Sequence, residues 1–229
     1  MAFKAVAFDL DGTLYPPRAL YSRAWPLALG NLRLTLAFAE VRKAIRAPEA
    51  TEACRTSGSA CGEELRRLQA RMTAERLGAP VELTARRIDD IIYRGVVACF
   101  ERIRPFPGAV DALGKLRAAR LRLAVLSDFP PERKLEHMGL SRWFDLALCS
   151  EDSGFLKPER EPFVMLCDSL ALEPEDILYV GNSARYDLAG ARAAGLGAAI
   201  LSRRKVPGAD LSFSAWEDLV EFALDSSRG

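Results

Sequence analysis

The sequence predicts an α/β protein, a doubly wound parallel sheet carrying one all-helical insert. Two observations lead there. From about residue 105 onward, short and mostly apolar runs alternate with helix-period segments, the pattern of strand–helix–strand units in a parallel sheet. A further apolar run, residues 3–8, stands apart from these. It is separated from them by residues 16–104, which read as helical throughout.

The first strand, over 3–8, ends at Asp9 and Asp11. In the insert, Leu34, Phe38, Val41 and Ile45 recur at helical spacing, as do Leu65, Leu68 and Met72. Ile88, Ile91, Ile92, Val96, Phe100 and Ile103 form the longest stripe. Pro26 starts or kinks the first helix. The small, polar stretch 51–62 reads as a loop, and Pro105-Phe106-Pro107-Gly108 as a hinge closing the insert. Further strands fall at 121–126, 144–149, 177–180 and 198–201, with helices near 108–119, 131–138, 160–170 and 184–194. These strands are continuous apolar runs, which suits a sheet covered on both faces. The domain boundaries follow: 1–15 with 105–229 as the core, and 16–104 as the insert.

Composition bounds the function. The 229 residues, 49% hydrophobic with a net charge of +1, suit one large or two small globular units. A near-neutral chain has no bulk field to recruit nucleic acid or a membrane surface. No run approaches a membrane span, and the N-terminus lacks a secretory layout. Cys54, Cys61, Cys99, Cys149 and Cys167 are scattered and odd in number, as expected for reduced thiols in a cytoplasmic protein. With His137 the only histidine, a zinc site is not expected. Residues 16–104 hold 16 Lys and Arg against 10 Asp and Glu, and the remainder holds 16 against 21. A basic insert facing an acidic core suits a cleft where an anionic substrate meets a metal. Arginines solvating helix faces would give the same count.

Asp9 and Asp11 carry the strongest chemical signal. Two carboxylates held close at a strand tip repel, and a cation on one with acid–base work for the other relieves that conflict. The remaining polar residues cluster where strands end: Ser127-Asp128, Ser150-Glu151-Asp152 and Gly181-Asn182-Ser183. In open α/β sheets ligands sit beyond the carboxyl ends of strands. No G-x-G-x-x-G or Walker-type loop occurs, and nothing around His137 resembles a nucleophile elbow.

Asp9-x-Asp11-Gly12-Thr13, Ser127 after an apolar strand, Lys157-Pro158 and Gly181-Asn182-Ser183-x-x-x-Asp187 follow one another in order. In this the chain resembles the haloacid dehalogenase superfamily over almost its whole length. The resemblance implies a Rossmann-like core with a C1-type helical cap at 16–104. Members with aspartate at the position of Asp11 are usually phosphatases or phosphomutases, while dehalogenases differ there. The implied activity is Mg²⁺-dependent hydrolysis of a small phosphorylated metabolite. Asp9 would be the nucleophile, Asp11 the acid and base, and Lys157 the charge partner. Gly12, Thr13, Ser127 and Asp128 would meet the phosphate, though Asp128 also reads as a turn cap. Asp9, Asp11 through its main-chain carbonyl, Asn182 and Asp187 would hold the metal. The acid–base role calls for an Asp11 pKa raised toward neutrality. The family commonly has aspartate where Asn182 stands, so one charge is missing from the metal site. A catalytically weakened binding or regulatory protein, or a phosphomutase of the same mechanism, are the alternatives.

Overall fold

The structure, a computed structural model, describes residues 3–47, 49, 51 and 61–225. Its centre is a six-stranded sheet, every pair parallel. The strands are β1 (Ala5–Phe8), β2 (Arg122–Ser127), β3 (Leu146–Cys149), β4 (Ile177–Gly181), β5 (Gly197–Leu201) and β6 (Leu211–Phe213). Their order across the sheet is β3-β2-β1-β4-β5-β6. The first strand in sequence is therefore central, with Ala7 in register with Ala124 on one side and Tyr179 on the other. The chain reverses its winding direction at β1, and the crevice beyond the strand tips falls there.

Alternation along β1 divides the core into two layers. Val6 and Phe8 pack with Leu113, Leu116, Leu219 and Phe222, from α5 (Ala109–Ala118) and α9 (Trp216–Leu224). Ala5 and Ala7 face Phe163, Leu166 and Leu170 of α7 (Arg160–Leu170) and Ala191 of α8 (Ala189–Ala193). Alanines on that face leave room for large partners. Gly190 continues the logic, since a Cβ there would collide with the Phe163 ring.

The insert comprises α1 (Pro17–Gly30), α2 (Leu32–Ile45), α3 (Gly62–Leu77) and α4 (Val81–Ile88). The predicted stripes of α2 and α3 are buried: Leu34, Phe38 and Ala70 meet Ile88, while Val41, Ile45 and Leu65 meet core residue Leu156. The 88–103 stripe is helical but not regular. It runs as a π-helix (Asp89–Gly95), a short α-turn (Val96–Ala98) and a 3₁₀ turn (Cys99–Arg102). Pro26 lies inside α1, a helix with no fully buried residue. The two strands of chain joining insert to core touch each other, Phe106 N–H donating to the Leu14 carbonyl at 2.9 Å. The loop expected at 51–62 and the thiol of Cys54 lie largely outside the described residues. Among those residues no helix is long and apolar enough to cross a membrane.

Three local expectations shift. β3 starts at Leu146, because the Asp145 carboxylate accepts the Leu123 N–H at 2.9 Å and caps the strand's start. The 184–194 helix opens with a π-turn (Ala184–Leu188). β6 and α9 lie in a tail to which no element was assigned.

Candidate active site

β1 and its neighbours deliver the site. Asp9 N–H donates to Val180 O at 2.8 Å, extending the β1–β4 ladder one residue beyond the strand. Gly12 then turns the chain at φ +90, a left-handed conformation in which a Cβ would also strike the Asn182 amide. Thr13 is fully buried, and its hydroxyl donates to Asp9 Oδ2 at 2.8 Å.

Lys157 is the hub. Its Nζ lies 2.7 Å from Asp9 Oδ1, 2.8 Å from Asp187 Oδ1 and 3.0 Å from the Tyr179 hydroxyl. All three charged groups are buried. Asp187 is held from behind, its Oδ2 accepting the N–H groups of Asn182 and Ser183 at 3.1 and 3.0 Å. Burial pushes the Asp9 carboxyl up to about 7, with Asp187 and Asp11 adding to it and Lys157 opposing. Lys157 is shifted well above its ordinary value: burial lowers it, and the Asp187 and Asp9 charges outweigh that. The ammonium therefore stays charged at any working pH.

Asp11 sits beside this triad in a different environment. Both of its oxygens face the Lys134 ammonium, at 3.0 and 2.7 Å. Tyr15 also donates to it, and Ser127 donates to Oδ2 at 3.2 Å. Burial raises this carboxyl, but Lys134 and the two hydroxyls outweigh burial, and the group lies below its ordinary value. This corrects the expectation of a raised Asp11 pKa, because a buried cation faces the carboxylate that sequence placed beside negative charge alone. Neither Lys134 nor Tyr15 was in the expected catalytic set. Lys134 follows two charged residues in the short helix α6 (Glu132–His137), and a lysine there looks like any surface lysine. Tyr15 follows the first motif directly, where sequence alone does not distinguish a ligand to Asp11 from an aromatic that packs the core.

Ser127 ends β2, and its hydroxyl also accepts the Phe129 N–H at 3.3 Å. Asp128 is turned elsewhere. Its carboxylate pairs with Arg46, the residue that ends α2 at its C-terminal cap, and accepts the Lys157 N–H at 3.3 Å. An acceptor-only group so engaged offers a phosphate nothing from its side chain. Asn182 is exposed, and its Nδ2 donates to the Asp11 carbonyl at 3.3 Å.

The oxygens gathered here are the Asp9 carboxylate, the Asp11 carbonyl, the Asn182 amide and the Asp187 carboxylate. Among the described residues no three Asp, Glu, His or Cys side chains converge on one point. Mg²⁺ suits such a set, since it takes one or two carboxylates and keeps several waters. Turning the Asn182 amide about its last bond would present oxygen instead of nitrogen to that space.

Insert and core are joined by buried charge. Glu151, fully buried in the 3₁₀ turn after β3, meets four side chains of the insert. Arg42 pairs with it, Gln69 donates at 3.1 Å, the Tyr93 hydroxyl lies 2.9 Å away, and Arg66 Nε lies 3.2 Å away. Arg42 also donates to the Asp128 carbonyl at 2.8 Å, and Arg46 to the Lys157 carbonyl at 2.8 Å. Part of the charge asymmetry between insert and core is thus spent at their interface.

Comparison with known proteins converges on this architecture. Residues 3–195 match the family model of haloacid dehalogenase-like hydrolases. A glyceraldehyde 3-phosphate phosphatase of Methanopyrus kandleri is 29% identical over 237 residues, spanning 98% of this chain and 94% of its own. A phosphoglycolate phosphatase of Salmonella typhi is 31% identical over 202 residues, spanning 84% and 78%. Among solved structures, a 2-haloacid dehalogenase from Pseudomonas syringae superposes with a TM-score of 0.65 at 22% identity, covering 96% of this chain and 97% of that one. A phosphatase of the same superfamily from Thermococcus onnurineus gives 0.60 at 21%, with the same coverage. At such identity these structures speak for the fold alone, while the family match and the two sequence relatives go further. The chain belongs to the haloacid dehalogenase-like hydrolase family, within its phosphatase-like branch.

Proposed function

We propose that the protein hydrolyses a small phosphomonoester with Mg²⁺ through an aspartyl-phosphate on Asp9. The observation that carries this reading is the buried Asp9–Lys157–Asp187 triad at the tip of the central strand, with Asp11 alongside. Asp9 attacks phosphorus as its bond to the alcohol oxygen breaks, and Lys157 remains beside the carboxylate to offset charge on the phosphoryl oxygens. Ser127 and Thr13 supply hydroxyl donors near the same point. Asp9, the Asp11 carbonyl, Asn182 and Asp187 would hold Mg²⁺, which when bound neutralises phosphoryl charge.

Asp11 gives the departing alkoxide a proton and later takes one from the attacking water. Without substrate it lies low in pKa because Lys134 faces it. A phosphate arriving alongside adds negative charge and moves it back up. The helices of 16–104 act as the cap, excluding water when seated on Glu151 and Asp128.

The test is hydrolysis of p-nitrophenyl phosphate across pH at several Mg²⁺ concentrations. The attacking carboxylate must be ionised, so kcat/KM rises with pH through about 7 at low Mg²⁺. A cation beside Asp9 favours its charged form, so the limb moves to lower pH as Mg²⁺ rises. No turnover at any Mg²⁺ concentration refutes the reading.

One observation favours a second reading, a weakened site serving ligand binding or regulation. Asn182 brings a neutral amide, now spent on the Asp11 carbonyl. Asn182→Asp is expected to tighten Mg²⁺ binding at least tenfold. Should the wild type be barely active, the same change should raise its turnover. A phosphomutase would instead return the phosphoryl group to product, which product analysis with a sugar phosphate detects.

A further inference from the structure

A chamber of about 260 Å³ opens beside Asp11, between insert and core. Its walls include Leu20, Ile92, Val96, Val97, Phe129 and Pro130. The charged groups lining it, Asp11 and Lys134, are paired at 2.7 Å. The Tyr93 hydroxyl, on the same wall, is bound to Glu151 at 2.9 Å. Arg42 lies against the Phe129 ring, 4.1 Å from its centroid, with N–H groups committed to Glu151, Gln69 and the Asp128 carbonyl. Tyr21, largely exposed, adds a second hydroxyl to the lining. The rest of the space presents mainly hydrocarbon, and the one cation among its described lining residues, Lys134, donates to Asp11.

Its position matters as much as its lining. Asp11 is the group that meets the departing oxygen, so the chamber lies on the leaving-group side of phosphorus. As the Asp9–phosphorus bond forms, the phosphorus–oxygen bond to the alcohol breaks, and the alkoxide takes its proton from Asp11 inside this chamber. A carboxylate on that alcohol would exchange its hydration for a wall built chiefly of hydrocarbon.

Resting on the phosphatase reading, we propose that the substrate's alcohol is apolar, an arylmethyl or branched alkyl group, and that Ile92, Val96 and Val97 set this preference. At a water's ~30 Å³ share of liquid volume, the chamber takes roughly nine non-hydrogen atoms. The preference departs from the small acidic phosphoester for which the Salmonella relative, a phosphoglycolate phosphatase, is named.

Benzyl phosphate and 2-phosphoglycolate both release alkoxides, so comparing them tests the chamber rather than leaving-group reactivity. The expected result is a kcat/KM at least tenfold higher for benzyl phosphate. Val97→Lys should lower that ratio at least tenfold, chiefly through KM. Equal or better turnover of phosphoglycolate by the wild type overturns the proposal and leaves the phosphatase reading intact. If neither ester is hydrolysed while p-nitrophenyl phosphate is, the phosphatase reading stands. Calorimetry with benzylphosphonate and phosphonoacetate then decides the chamber's preference: tenfold tighter benzylphosphonate supports it, and equal or weaker binding overturns it.

Discussion

Asp9→Asn lowers kcat/KM by ~10⁴-fold or more, because an amide cannot form the covalent intermediate and no second buried carboxylate stands in its place. Asp11 is held by Lys134, and Asp187 by Lys157 and two backbone N–H groups. The same change is expected to raise Tm at pH 8 without metal. In the folded chain Asp9 keeps its proton up to about pH 7, against an ordinary value of 3.8. Between those values the folded state binds a proton that the unfolded chain has released. The stability Asp9 contributes is therefore complete below about pH 4 and is lost as pH climbs to about 7. Above that, the wild type carries a costly buried carboxylate that the variant lacks. Mg²⁺ should raise the wild-type Tm and move the variant's less. Thermal melts at pH 5 and 8, with and without Mg²⁺, together with activity assays, check each part. Persistent activity in the variant would refute the nucleophile, and a Tm below wild type at pH 8 would refute the electrostatic account.

Arg42→Met is the largest expected loss of stability, about 3 kcal/mol. Its partner Glu151 is fully buried, and removing one member of a buried pair strands the other's charge. Arg66, Gln69 and Tyr93 still reach Glu151, which keeps the loss at the low end of the range for such pairs. In a chain of this length that is ~6–12 °C in Tm. Arg42→Met combined with Glu151→Leu should recover most of it, since no charge is then left unpaired. Chemical denaturation of the three variants measures both effects, and an additive double variant would show that the two residues are not coupled.

The sheet was legible in sequence because its strands are continuous apolar runs ending in polar clusters. Val6 and Phe8 have to be buried on one face and Ala5 and Ala7 on the other, and no other placement buries all four. β6 was not legible: three residues with Ser212 at the centre, at the sheet's edge, carry almost no pattern. The motif residues Asp9, Asp11, Lys157 and Asp187 could be read because strand tips bring them together. Lys134 and Glu151 could not. Each is a charged residue in a short helical turn; sequence puts Glu151 in a polar cluster at a strand end, but the burial and pairing of neither residue can be read there. Only the packing of α6 and of the insert against the core buries them. That burial also reverses the Asp11 pKa shift, since sequence proximity shows Asp9 nearby but not a lysine 123 positions away. Asp128, next to the phosphate-contacting candidate Ser127, instead ties α2 to the core.

The hydrogen bond between Leu14 and Phe106 pinches the chain where the helical block leaves and rejoins the sheet. With that neck fixed, the register of β1 against β2 and β4 does not depend on what is threaded between the two residues. Helices can lengthen, shorten or be exchanged there while the chemistry at the strand tip stays in place, so a new selectivity can be grafted without rebuilding the catalyst.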